Sequence, residues 1–172
     1  MDKKLILLLE KNDRKVQRQI YDRLFPMLSA VCARYLDAKE DIEDILAESF
    51  YIIFTQIRQL NAPEAFYSWS KKITINQCLL FLKKRISFDE LPVELYDSEP
   101  AKNNGYYKDV EHFIDQLPQG CKSVFNLSVI EGYTHKEISR LLNISEGTSK
   151  SQLSFAKNKL KGFLNQFYLS SG

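Results

Sequence analysis

Thr148, Ser149, Lys150, Ser151 and Gln152 crowd one short run of the chain with hydroxyls, an amide and an ammonium group. Hydroxyls and backbone N–H groups grip phosphate oxygens, while Lys and Gln reach base edges. Lys150, Lys157, Lys159 and Lys161 add a local basic patch, with no acid between Lys150 and Lys161. This is chemistry for holding a polyanion rather than for breaking bonds. A second group, Asp41, Asp44 and Glu48, repeats at i, i+3 and i+7 and makes an acidic ridge along a helix. Such a ridge is either a solvated face or a surface for a basic partner.

The elements that must present the first group are two short helices joined by a tight turn, Thr134 to Lys161. Thr134 with Glu137 three residues later is a capping-box start. Ile138, Leu141 and Leu142 fall on one apolar face. Asn143 tolerates a left-handed backbone and ends that helix, and Ile144 plugs the angle. Ser145 is a natural N-cap for the second helix, and Glu146 complements its dipole. Leu153, Ala156 and Leu160 keep to one face of it, leaving Thr148 to Gln152 in its first turns. This is helix-turn-helix logic, in which the second helix enters the major groove. The competing reading is an ordinary helical hairpin with a solvated polar face.

A hydrophobic content of 44% supports packed cores in a chain of 172 residues, enough for one domain or two small ones. The net charge of +2 excludes a histone-like polycation, so nucleic-acid contact must come from local patches. Cys32, Cys78 and Cys121 are widely spaced, and the histidines are His112 and His135 alone. That spacing speaks against structural zinc and against a disulfide framework, and predicts reduced, mostly buried cysteines. No run reaches the length of a membrane span, and the apolar burst near Leu5 is too short for a signal segment. A cytoplasmic protein without membrane insertion is expected, with no cofactor and no metal.

Helical patterning fills the rest. Residues 3–11 read as a short amphipathic helix. Asn12 and Asp13 cap a second, running through Val16, Ile20, Leu24, Leu28, Val31 and Tyr35, which Pro26 should kink or divide. A third starts at Asp41 and buries Ile42, Ile45, Leu46, Phe50, Ile53, Phe54 and Ile57. Asn61 to Glu64 is a loop, and a fourth helix runs to Arg85 with Phe66, Trp69, Ile73, Asn76, Leu80 and Phe81 along it. It carries Lys71 and Lys72 in its middle and Lys83, Lys84 and Arg85 at its end. Residues 88–107 form an acidic linker, in which Phe88, Leu91, Val93 and Leu95 are apolar pieces able to dock. A second unit, residues 108–172, opens with Val110, Phe113, Ile114 and Leu117. Pro118 then starts a helix that packs Cys121, Val124, Phe125, Leu127, Val129 and Ile130, and Gly132 ends it. Phe163, Leu164, Phe167 and Leu169 extend the tail or tie it down. The expected fold is all-α, two small helical domains over 1–87 and 108–172.

Together the two halves resemble bacterial RNA polymerase sigma factors of the extracytoplasmic-function type, the small class with only regions 2 and 4. In the second half, Leu117-Pro118, Val124-Phe125-Asn126-Leu127, Glu131-Gly132-Tyr133, Glu137-Ile138, Leu141, Ile144-Ser145 and Gly147-Thr148 to Leu153 follow the region 4 pattern in order. In the first half, Asp41-Ile42-Glu43-Asp44-Ile45 with Phe50 and Phe54 is similar to region 2.2. Phe66, Trp69, Ile73 and Asn76 match the run shared by regions 2.3 and 2.4.

The resemblance implies a role for each group. Asp41, Asp44 and Glu48 would meet the clamp of core RNA polymerase. The loop Arg58 to Ala65, with Asn61, would hold a flipped base of the promoter −10 element. Lys71, Lys72, Asn76, Lys83, Lys84 and Arg85 would line the opened strand, with Phe66 and Trp69 bracing the loop from the core. Thr148, Lys150, Ser151, Gln152, Ser154 and Phe155 would face the −35 element in the major groove, and Lys157 and Lys159 its phosphates or the polymerase flap. Ala47 stands where the family usually carries Gln, and Gln152 where Arg is frequent. The resemblance also implies an anti-sigma partner that covers both DNA faces, and a monomer when free.

Two rivals stand beside this reading. One is a stand-alone helix-turn-helix regulator whose N-terminal helical domain dimerises. The other is an enzyme with a di-metal site among Asp37, Glu40, Asp41, Glu43, Asp44 and Glu48; such sites call for Glu-x-x-His on two helices, which neither histidine supplies.

Overall fold

A computed structural model describes residues 3–88 and 113–170. Among the described residues all regular structure is helical, so the fold is all-α. The chain divides into two compact units, Met1–Lys84 and Arg85–Gly172. The acidic stretch 89–107 and the helix expected from Lys108, with Val110 on its face, lie outside the described residues, as do the side chains of Phe167 and Leu169.

In the first unit, α1 (Lys3–Glu10) buries Ile6 and Leu9 against α2 (Arg14–Ala33) and the turn at Ile57–Gln59. Asn12 takes the left-handed conformation, φ 58°, and turns the chain between them. Asp13 then caps α2, its carboxylate accepting from the N–H groups of Lys15 at 2.9 Å and Val16 at 3.1 Å. Val16, Ile20, Leu24, Leu28 and Val31 recur on the buried face. Leu24 and Leu28 are wholly enclosed, each contributing about 2 kcal/mol. Pro26 does not divide the helix. Its ring is exposed, so the Asp22 carbonyl that loses its helical donor lies on the wet side of α2.

α3 runs Lys39–Thr55, two residues earlier than the pattern predicts, and buries Ile45, Leu46, Phe50 and Ile53. The Tyr21 ring of α2 packs on Phe50 with centroids 4.5 Å apart. Two 3-10 turns, Ile57–Gln59 and Pro63–Ala65, bracket the loop before α4 (Phe66–Lys83). α4 buries Ser70 and Thr74 without leaving their hydroxyls orphaned, because each donates to its own helix, to Phe66 O at 2.8 Å and Ser70 O at 3.2 Å. α2, α3 and α4 pack pairwise into a bundle. Within it the buried thiols of Cys32 and Cys78 lie 3.9 Å apart. The hydrogen bond to Cys32 and burial push the Cys78 thiol far above the ordinary range.

In the second unit, Pro118 precedes α5 (Gln119–Phe125), which runs into one π-helical stretch, Asn126–Ile130. Glu131 N–H donates to Asn126 O at 3.0 Å, closing the wide turn. Cys121, Val124, Phe125 and Leu127 are buried as the pattern predicts, but Val129 and Ile130 are each 47% exposed. The π turn is the reason: one extra residue rotates the end of the helix off the core face. Gly132 turns the chain at φ 76°. Then come α6 (His135–Leu142) and α7 (Glu146–Ser170). α7 is far longer than the short second helix expected, and Phe163 on it stacks on Phe113 at 4.7 Å. Lys122 is buried with its ammonium 2.9 Å from Asp115, whose carboxylate stays in water. Among the described residues, no helix is long and apolar enough to cross a membrane.

Candidate nucleic-acid interface

The α6–α7 pair is built by local hydrogen bonding. Thr134 Oγ1 accepts from Glu137 N–H at 3.3 Å, while the Glu137 carboxylate accepts from Thr134 N–H at 2.8 Å, closing the capping box. Asn143 sits at φ 58°, ψ 46° and ends α6. Ile138, Leu142 and Ile144 fill the angle between the helices. Ser145 Oγ accepts from Thr148 N–H at 2.8 Å and starts α7. One further bond crosses the angle: His135 Nδ1 and Ser149 Oγ are 2.9 Å apart, with Ser149 fully buried. Ser149 is thereby a strut between helices rather than part of the outer surface.

The rest of the first turns of α7 divides by face. Lys150, Ser154 and Lys157 are exposed, spaced i, i+4 and i+7 along one stripe, and Lys161 continues it. Thr148, Ser151 and Phe155 are half-buried. Ser151 and Phe155 lie about 100° around the helix from Lys150 and Ser154 respectively, while Thr148, in the first turn, is further round. Ser151 donates backward to Gly147 O at 3.1 Å and Thr148 O at 3.0 Å, which leaves its oxygen free to accept. Lys159 holds its ammonium 6.0 Å from the Phe155 ring centre, within reach of the ring face. Gln152 does not belong to this surface. It is 0% exposed, and its Nε2 donates to the Phe88 carbonyl at 2.6 Å. This corrects the expectation that Gln152 faces the groove: it is two residues from both Lys150 and Ser154, about 200° around the helix from each.

Tyr133 stands, half-buried, at the entry to α6. Burial, and then the carboxylates of Glu131 and Glu137, push its phenol up.

The first unit gathers its groups on two elements. On α3, Asp44 and Glu48 are exposed and Asp41 is half-buried, on the side away from Phe50 and Ile53. Tyr51, 64% exposed, extends this ridge by one step. Inside the run Phe50 to Phe54 nothing in the residue types sets Tyr51 apart; only the position after Ala47 and Glu48 marks it as outward. On the second element, Ile57 and Phe66 are buried anchors at the ends of the loop, and Arg58 and Asn61 between them are exposed. Trp69, half-buried, packs against Phe66 with centroids 6.3 Å apart, and Tyr67 beside it is exposed. Lys72, Asn76 and Lys83 share the solvent side of α4 with Trp69. Lys71 lies a third of a turn away and is half-buried, while Lys84 and Arg85 are exposed beyond the helix end. The Asn76 carboxamide oxygen is itself shielded from water.

Comparison with known proteins adds to this geometry. Residues 20–86 match the family model described as Sigma-70 region 2, and residues 107–160 the one described as Sigma-70, region 4. The chain is 22% identical over 177 residues to the ECF RNA polymerase sigma-E factor of Haemophilus influenzae, with 93% of each covered. It is 28% identical over 158 residues to the ECF RNA polymerase sigma factor SigE of Mycolicibacterium smegmatis, covering 86% of this chain and 59% of that one. Among solved structures, CnrH in complex with the cytosolic domain of CnrY shares the fold, with a TM-score of 0.52 and 16% identity over 94% of this chain and 96% of that one.

Proposed function

Because the chain belongs to the sigma-70 family, among its extracytoplasmic-function members, we propose that its two units divide the work of promoter selection between them. The protein is a sigma factor: it binds core RNA polymerase and directs it to promoters. In our reading the ridge of Asp41, Asp44 and Glu48 on α3 docks on a basic surface of the polymerase clamp. Exposed acids of this kind speed encounter and set orientation more than they add affinity.

The loop carrying Asn61, together with Lys71, Lys72, Asn76, Lys83, Lys84 and Arg85, takes the −10 element. Opening a duplex costs a few kcal/mol per unstacked base. Aromatic stacking offsets about 1–3 kcal/mol for each base, and a cationic track holds the strand. Helix α7 enters the major groove at the −35 element, with Lys150, Ser151, Ser154 and Phe155 toward base edges and Thr148 and Lys157 toward phosphates.

The observation that carries this reading is the exposed stripe Lys150–Ser154–Lys157 on a helix held rigid by its Ser145 cap and by the His135–Ser149 bond. A rigid, cationic, hydroxyl-bearing helix face fits a groove. The half that the rival reading gives to dimerisation has its own match, to region 2, so a stand-alone regulator is not favoured. The protein acts as a specificity subunit with no reaction of its own, in the cytoplasm, monomeric until it meets polymerase. An anti-sigma protein covering both DNA faces is its expected regulator, and the related fold of CnrH was itself solved with a partner domain bound.

The test is co-elution with purified core RNA polymerase by size exclusion. A stable complex in equal amounts supports the reading. A dimer that ignores polymerase yet binds duplex DNA tightly contradicts it.

A further inference from the structure

We propose that Gln152 is a positioning residue for −35 recognition, acting through the Phe88 carbonyl, so that the backbone entering the second unit is a working part of the DNA reader. The inference rests on the reading of α7 as the −35 helix. Three observations meet at one point. The Gln152 side chain is fully enclosed, and its Nε2 donates at 2.6 Å to a carbonyl 64 positions earlier in the chain. Phe88, which carries that carbonyl, belongs to the second unit and is itself buried, 4% exposed. Gly120 on α5 supplies the third wall: a Cβ there would stand 3.2 Å from Gln152 Nε2, tighter than an ordinary contact. The amide thus occupies a slot between bare α5 backbone and the incoming chain segment.

A buried amide is a demanding choice for this place. An apolar side chain of the same length would fill the slot, but would leave the Phe88 carbonyl without its donor and its direction unset. The amide registers three segments against each other: the entering backbone, α5 and α7. Because Gln152 is directly opposite the Lys150–Ser154 stripe, a shift of this contact tilts or rotates the stripe. Base-edge hydrogen bonds tolerate shifts of only about 0.5 Å before they weaken. Phe88 precedes the region 4 match, which begins at residue 107. In this chain the element that sets the reading helix therefore includes backbone from outside the helix-turn-helix segment.

The experiment uses the full chain with core polymerase and two templates that differ only at the −35 element, one intact and one scrambled. The readout is the ratio of the two transcripts, which loss of folded protein alone does not move. Gln152→Met, which keeps length and removes the donor, is expected to lower the ratio about tenfold, the scale of one lost base-pair discrimination. Gly120→Ala, which keeps the donor and presses on it, is expected to lower it in the same direction. It decides the matter if Gln152→Met fails to fold. Lys150→Ala separates contact with DNA from positioning. If Lys150→Ala abolishes discrimination while Gln152→Met and Gly120→Ala keep the wild-type ratio, the positioning role is overturned and the −35 reading stands. If the unmodified protein shows no discrimination, the −35 reading itself falls, and the inference with it.

Discussion

His135 and Ser149 join the two helices of the DNA-reading pair through a hydrogen bond of 2.9 Å between ring nitrogen and hydroxyl. His135 is the first residue of α6, and Ser149 is buried in the first turns of α7. The bond fixes the angle that Asn143 and Ile144 only permit. Ser149→Ala and His135→Ala are each expected to lower the unfolding free energy by about 1 kcal/mol, with the double variant losing less than the sum. Chemical denaturation of the four proteins measures this. Strict additivity would mean that the bond contributes nothing.

Lys150 and Lys157 share the exposed stripe of α7 but are expected to behave differently. Lys157→Ala weakens duplex binding evenly across sequences and reduces the salt slope of log K by about 1. Lys150→Ala does the same and also relaxes preference at the −35 element. Titrations of holoenzyme on duplex fragments between low and moderate salt test both. Equal slopes for the variants and the unmodified protein would place the stripe away from DNA.

The acidic ridge of α3 is exposed at Asp44 and Glu48, so reversing its charge leaves the fold alone. Asp44→Lys with Glu48→Lys is expected to shift stability by no more than about 0.5 kcal/mol per site. Association with core polymerase slows by about tenfold or more at low salt, and the deficit shrinks as salt rises. Surface plasmon resonance against immobilised core polymerase gives both rates. An unchanged association rate would assign the ridge to solvent.

Alkali should loosen the second unit through Cys121. Burial pushes its thiol up to about 11 from 9.0. The folded state keeps the proton that the unfolded chain releases, so stability is full below pH 9 and is lost as pH rises toward 11. At pH 10.5 the loss is on the order of 2 kcal/mol. Tyr133, also pushed up, acts with the same sign. Denaturation at pH 8 and pH 10.5 should show the drop, and Cys121→Ala should reduce it despite a lower starting stability. A Cys121→Ala profile parallel to the unmodified one would rule this thiol out.

The legible part of the sequence is the part that short-range physics determines. Thr134 with Glu137, Asn143, and Ser145 each satisfy a backbone group within a few residues, so the helix ends around the turn can be read from residue type alone. Gln152 escapes such a reading for the opposite reason: its direction depends on Gly120 and Phe88, both distant in the chain. Val129 and Ile130 look like core in a 3.6-residue period, and only the π turn turns them out. Lys122 gives no signal of its place, because a lysine is expected outside and its burial depends on the Asp115 carboxylate at the surface. Pro26 predicts a break that the chain avoids by keeping that side of α2 in water.

Promoter-dependent run-off transcription with purified core polymerase tests the central claim most directly. The expected result is a specific transcript that needs this protein, falls when either the −10 or the −35 element is scrambled, and disappears when both are. With polymerase of proven activity and templates drawn from the native genome, the absence of any transcript that depends on the protein would contradict the assignment.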